Sequence, residues 1–69
     1  MIIYDPLWET MKKRNITKYR LTRYHSIGRN TLDRMGKNLP TSSMTIDDLC
    51  KALNCEVSDV MRYVPDDEG

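Results

Sequence analysis

Residues 17–38, TKYRLTRYHSIGRNTLDRMGKN, decide the fold. Thr17 is placed to cap a helix over about Lys18 to Tyr24, with Tyr19, Leu21 and Tyr24 as its large apolar positions. The chain turns through His25 and Ser26, buries Ile27, and enters another helix at Gly28 that ends near Gly36 to Asn38. Leu32 and Met35, three apart, form the inner face of that second helix, with Thr31 beside them. Its outer face carries Arg29, Asn30, Asp33, Arg34 and Lys37, whose donors and acceptors match base edges and phosphates.

Ahead of this pair, Met1 to Tyr4 is apolar, rich in β-branched residues and too short for a helix, so it reads as a brief strand. Asp5 followed by Pro6 marks a helix start, Asp5 as N-cap and Pro6 at the first position, where a missing N–H costs nothing. Leu7, Trp8 and Met11 line one face of this helix, and Lys12, Lys13 and Arg14 set cations at the negative end of its dipole. Asn15 can end it in the left-handed conformation, after which Ile16 returns to the core.

Beyond the pair, Leu39-Pro40 forbids helix at Leu39. A fourth helix follows, capped by Ser42 or by Thr45 with Asp48 as reciprocal partner. Ile46, Leu49, Cys50 and Leu53 fall at i, i+3, i+4 and i+7, the clearest amphipathic pattern in the chain, and Asn54 suits its end. A fifth short helix is expected over about Val57 to Tyr63, presenting Val57, Val60, Met61 and Val64 and stopped by Pro65. The acidic tail DDEG is expected to fray.

With 69 residues the chain reads as one domain, residues 1–69, near the lower limit for folding on a single core without staples. A large catalytic cleft does not fit this size. One histidine and surface acids do not supply an active site, so no enzyme, catalytic residue, cofactor or small-molecule substrate is expected. Cys50 and Cys55, five apart, fit neither a CxxC pair nor a metal knuckle and are expected as reduced thiols, with no metal. No membrane span or signal peptide is visible, so the expected location is cytoplasmic.

Formal net charge is only +1, but its distribution is polar. Lys12 to Lys37 holds nine basic residues and one acid, whereas Asn38 onward holds seven acids and two bases. A basic third opposite an acidic end orients a protein towards a polyanion while limiting contact elsewhere. A basic helix face is by itself usually a solvated face; the turn spacing and core register are what give it meaning here.

The run TKYRLTRYHSIGRNTLDRM, followed after a loop by TIDDLCKALNCEVSDVMRYVP, resembles the lambda-repressor-like (Cro/CI-type) helix-turn-helix domain of XRE-family transcriptional regulators, in its compact phage or mobile-element form. The resemblance covers about Leu7 to Pro65 and is strongest in the spacing Leu21, Ile27, Leu32, Met35 and in the block LCKALNC. It implies an all-α fold of five short helices with the helix-turn-helix unit at about 17–38. The apolar chain ends could add a small two-stranded sheet, Met1 to Tyr4 against the segment around Arg62 to Pro65. Four positions depart from the family pattern: Thr22 stands where Ala is preferred, Ser26 where Gly is commonest, Gly28 where Ser or Thr caps the recognition helix, and Lys18 where Gln is frequent.

The expected function is a sequence-specific, double-stranded-DNA-binding transcriptional regulator, a repressor rather than an enzyme. Arg29, Asn30 and Arg34 are the candidate base readers; Asp33 could accept from cytosine or orient a neighbouring arginine through a salt bridge. Thr17, Lys18, Arg20, Arg23, Lys37, Ser42 and Ser43 are the candidate phosphate contacts. One recognition helix reads few base pairs, so a homodimer on an inverted repeat is expected, with half-sites roughly 34 Å apart. Val57, Val60, Met61 and Val64 would form its interface. The competing expectation is a protein-interaction or antitoxin-like module that uses the same fold.

Overall fold

A computed structural model of the chain describes residues 1–65. Its elements are β1 (Ile2–Ile3), α1 (Asp5–Arg14), α2 (Lys18–His25), α3 (Arg29–Gly36), α4 (Ser43–Leu53), a 3-10 turn (Val57–Asp59) and β2 (Arg62–Tyr63). The acidic tail expected to fray lies outside the described residues.

The helix starts follow local chemistry. The Thr17 hydroxyl accepts from the Arg20 N–H at 3.2 Å and the Ser42 hydroxyl from the Thr45 N–H at 3.2 Å, so Ser42, not Thr45, caps α4. At α1 the cap is Tyr4, without a side-chain bond, and Asp5 is already helical; its charge acts on the dipole instead. The helix ends rely on left-handed residues. Asn15, Asn38 and Asn54 have φ of 57°, 58° and 51°. Each lets the next residue bond back five positions: Ile16 to Met11 at 2.9 Å, Leu39 to Arg34 at 3.0 Å and Cys55 to Cys50 at 3.0 Å.

The expected fifth helix is a correction. Val57 to Tyr63 forms only the 3-10 turn and then a strand, which leaves four α-helices among the described residues. Asp59 folds back on Glu56, its carboxylate accepting the Glu56 N–H at 3.0 Å, and the chain then straightens. Arg62 and Tyr63 pair antiparallel with Ile3 and Ile2, as expected for the chain ends. A backbone bond from Val64 to the Met1 carbonyl, 2.8 Å, extends the ladder. Strand pairing satisfies donors and acceptors that an isolated single-turn helix would leave open.

Among the described residues eleven side chains form the core: Tyr4, Leu7, Met11, Leu21, Ile27, Leu32, Met35, Ile46, Leu49, Leu53 and Val60. All four helices contribute to it, with α1 and α4 packed against the 3-10 turn and α2 against α3 and α4. Two polar ties close the frame. The buried Thr10 hydroxyl donates to the Asp59 carbonyl at 2.7 Å, fixing α1 to the 3-10 turn. The Asn38 side chain accepts the Tyr4 N–H at 3.0 Å, joining the end of α3 to the start of α1.

Ser26 is the residue under strain. It adopts φ 57° in the turn between α2 and α3, where an L side chain costs about 1 to 2 kcal/mol and glycine does not. Part of that gain is offset by the freer unfolded chain of a glycine variant. Ser26→Gly should therefore stabilise the fold by about 0.5 to 1 kcal/mol and raise the urea midpoint. A lowered midpoint would show that the serine side chain contributes more than its backbone costs.

Candidate nucleic-acid interface

The turn geometry sets α3 against α2 through buried Leu21, Ile27, Leu32 and Met35, with the Ile27 N–H bonded to the Leu21 carbonyl at 3.2 Å. With that face inward, Arg29, Asn30, Asp33, Arg34 and Lys37 all point to solvent, as do Thr17, Lys18, Arg20, Arg23, Ser42 and Ser43. Gly28 is the cap of α3, at φ −62° and ψ 140°, and offers no side-chain oxygen to the first turn. A Cβ there would meet only the Thr31 hydroxyl at 3.5 Å, an ordinary contact, so no close approach demands glycine at this position.

Two grooves organise these side chains. Lys18, Tyr19 and Thr22 of α2 line one together with Arg29 and Asp33 of α3, so a phosphate candidate and two base-reading candidates share one concavity. Arg34 lines the second, a polar notch with Thr31, Pro40, Thr41, Ser42 and Thr45. Its guanidinium donates to the Pro40 carbonyl at 3.4 Å, which draws it towards the α3–α4 loop and the Ser42 cap. Asn30 lies in neither groove, Lys37 sits at the far end of α3, and Ser43 lines a different, apolar groove. Among the described residues no ion pair joins Asp33 to Arg29 or Arg34; Lys51 and Asp47 pair with each other at 3.5 Å on α4.

Tyr19 and Tyr24 are the second correction. Read as apolar positions of α2, they are 67 % and 65 % exposed, and Leu21 alone anchors that helix in the core. An eight-residue helix with polar neighbours leaves most of its circumference in water, and a tyrosine can stay there because its hydroxyl is solvated. Tyr19 and Thr22 line the first groove and Thr31 the second; Thr22 and Thr31 were not among the expected DNA contacts, whereas the two tyrosines stood out in the sequence as the aromatic residues that could stack on bases.

The remaining chemistry is structural. Cys50 and Cys55 are free thiols beside each other at the end of α4. Burial pushes the Cys55 thiol up, and the neighbouring Cys50 and Asp59 push it further, so it stays protonated. Among the described residues no cluster of three or more His, Cys, Asp or Glu could hold a metal, and no helix is long and apolar enough to cross a membrane. The expected interface residues do not share one face: Val60 is fully buried in the core, Val57 is 55 % exposed, and Met61 and Val64 are half-buried. Val57 and Met61 border an apolar groove of about 710 Å³ between α4 and the 3-10 turn.

Two short helices joined by a tight turn, the second presenting an exposed polar face beside the cations of the first, define a helix-turn-helix domain. Residues 6–66 match the model of the Cro/C1-type HTH DNA-binding domain, and the chain belongs to that family. It is similar to the transcriptional regulator VanUg in its form II crystal structure, with a TM-score of 0.84 and 26 % identity over 94 % of this chain and 87 % of that one. No curated protein matches the chain significantly.

Proposed function

We propose that this protein is a sequence-specific transcriptional repressor that acts in the cytoplasm as a homodimer on an inverted-repeat operator. The observation that carries the reading is the groove in which Arg29 and Asp33 of α3 stand beside Lys18 of α2. In this reading α3 enters the major groove of DNA with Arg29, Asn30 and Asp33 towards base edges, while Arg34, expected from the sequence as a base reader, is drawn to the α3–α4 loop and faces the flanking phosphates. The α2 cations, Thr17, Lys37 and the start of α4 grip the flanking phosphates. Two copies pair through the surface bordered by Val57, Met61 and Val64, with Val60 supporting it from within the core. The exposed Val57 and the apolar groove beside it support that pairing.

Selection of bound sites from random double-stranded DNA tests this directly. Enrichment of an inverted repeat with half-site centres roughly 34 Å apart is expected. Enrichment of a single half-site would remove the dimer, and no enrichment would remove sequence reading. Lys18→Ala should weaken binding to every sequence alike and reduce the slope of log affinity against log salt by about one. A variant that changes base preference instead would show that Lys18 reads sequence. The same apolar groove favours a second reading, a protein-interaction or antitoxin-like module, and a wild-type protein without salt-dependent DNA binding would select it.

A further inference from the structure

Three cation–π contacts are present among the described residues, and all three hold cations of α2. The Lys18 ammonium lies 4.9 Å from the centre of the Trp8 ring. The Arg20 and Arg23 guanidiniums lie 5.7 Å and 5.9 Å from the centre of the Tyr24 ring. Each distance falls within the roughly 6 Å over which a ring face attracts a cation. Among the described residues no acid pairs with these groups: α2 contains none, and no ion pair reaches Lys18, Arg20 or Arg23.

We infer that Trp8 and Tyr24 are positioning residues that pre-organise the phosphate-binding cations of α2, a role that rests on the DNA-binding reading above. A free Lys or Arg side chain samples many rotamers, and much of that freedom is lost when it docks on a phosphate. A ring that already restricts the side chain lowers that loss without neutralising the charge. An acid in the same place would hold the cation as well, but would cancel the charge that the phosphate requires. Tyr24 serves two arginines at once, one turn before it and immediately before it on the helix, so a single ring sets the spacing of both guanidiniums. Trp8 reaches Lys18 from α1, which locks that cation to the core helix on which Trp8 is half-buried.

The test compares Tyr24→Leu, Tyr24→Phe and Arg20→Ala with the wild type on one duplex across a salt series. Tyr24 is exposed, so its variants should keep the fold, as checked by circular dichroism and thermal melting. Tyr24→Leu should weaken binding by about 3- to 10-fold with the salt slope unchanged, because the same number of counterions is released. Tyr24→Phe, which keeps the ring face, should bind like the wild type. Arg20→Ala should lower the slope by about one. If Tyr24→Phe loses as much as Tyr24→Leu, the hydroxyl contacts DNA directly and the positioning role is overturned; equal binding by all three tyrosine-site proteins overturns it as well. A wild type without salt-dependent binding would instead defeat the DNA-binding reading itself. Trp8→Phe against Trp8→Leu repeats the comparison at Lys18, with Trp8→Phe expected to retain the affinity that Trp8→Leu loses.

Discussion

Leu32→Ala is expected to cost about 2 to 5 kcal/mol, enough to remove most of the stability of a domain this small. Leu32 is fully buried, and it lies on the inner face of α3 while Arg29 and Asp33 occupy the outer one. Truncation removes the transfer energy of three carbons and leaves a cavity that the α2–α3 packing cannot close without moving α3. At about 0.05 to 0.15 kcal/mol per residue, the whole fold has only roughly 3 to 10 kcal/mol to lose. Thermal unfolding followed by circular dichroism should show a drop of at least about 8 °C, since 1 kcal/mol shifts a domain of this size by about 4 to 8 °C. An unchanged melting point would mean that α3 is held by its caps and loop rather than by this side chain. DNA binding should fall in parallel below the melting range, because the cavity changes the angle at which the outer face is presented.

Capping chemistry and the inner faces of α2, α3 and α4 could be read from residue types alone. Thr17 and Asn15 mark helix boundaries through properties of their own side chains and backbones, and the periodic set Ile46, Leu49, Leu53 needs only a helix to become one face. Elsewhere a distant partner decided the outcome. Val57, Val60, Met61 and Val64 have helical spacing, yet Arg62 and Tyr63 pair with Ile3 and Ile2 some sixty residues away in the chain. Periodicity cannot weigh that competition, although the apolar start of the chain hinted at a strand partner. The interface divides in the same way. Which residues of α3 face outward follows from the inward position of Leu32 and Met35. That Arg34 turns to the Pro40 carbonyl, and that Tyr24 lies under two arginines, depends on the loop path and on rotamers.

Ser26 and Gly28 show how departures from a family pattern acquire physical meaning. Ser26 takes the left-handed conformation that glycine would adopt freely, so its departure is a local cost in the turn. Gly28 has an ordinary negative φ and space for a Cβ, so its departure consists of a missing capping oxygen at the start of α3. Both residues lie in the turn that sets α3, yet neither alters its inner register: the Ile27 N–H still closes on Leu21 and the Leu32 N–H on Gly28.

Arg29→Ala should produce the largest loss of sequence discrimination, about 1 to 3 kcal/mol or roughly 5- to 150-fold on the selected site, with relaxed preference at one base pair. Arg29 is the first residue of α3, where a recognition helix approaches base edges most closely, and it is exposed. Among the described residues no ion pair ties it down, so its fork of donors is available to the O6 and N7 of guanine. Arg34 is placed differently. It must release the Pro40 carbonyl before it reaches a base, and the notch it occupies opens towards the Ser42 cap of α4. Arg34→Ala is therefore expected to weaken all sequences more evenly and to lower the salt slope, with a smaller change in preference. Competition gel shifts with single-substituted operators separate the two. Relaxed preference in Arg34→Ala together with a uniform loss in Arg29→Ala would exchange their roles, and would mean that the loop contact is given up when the domain meets DNA.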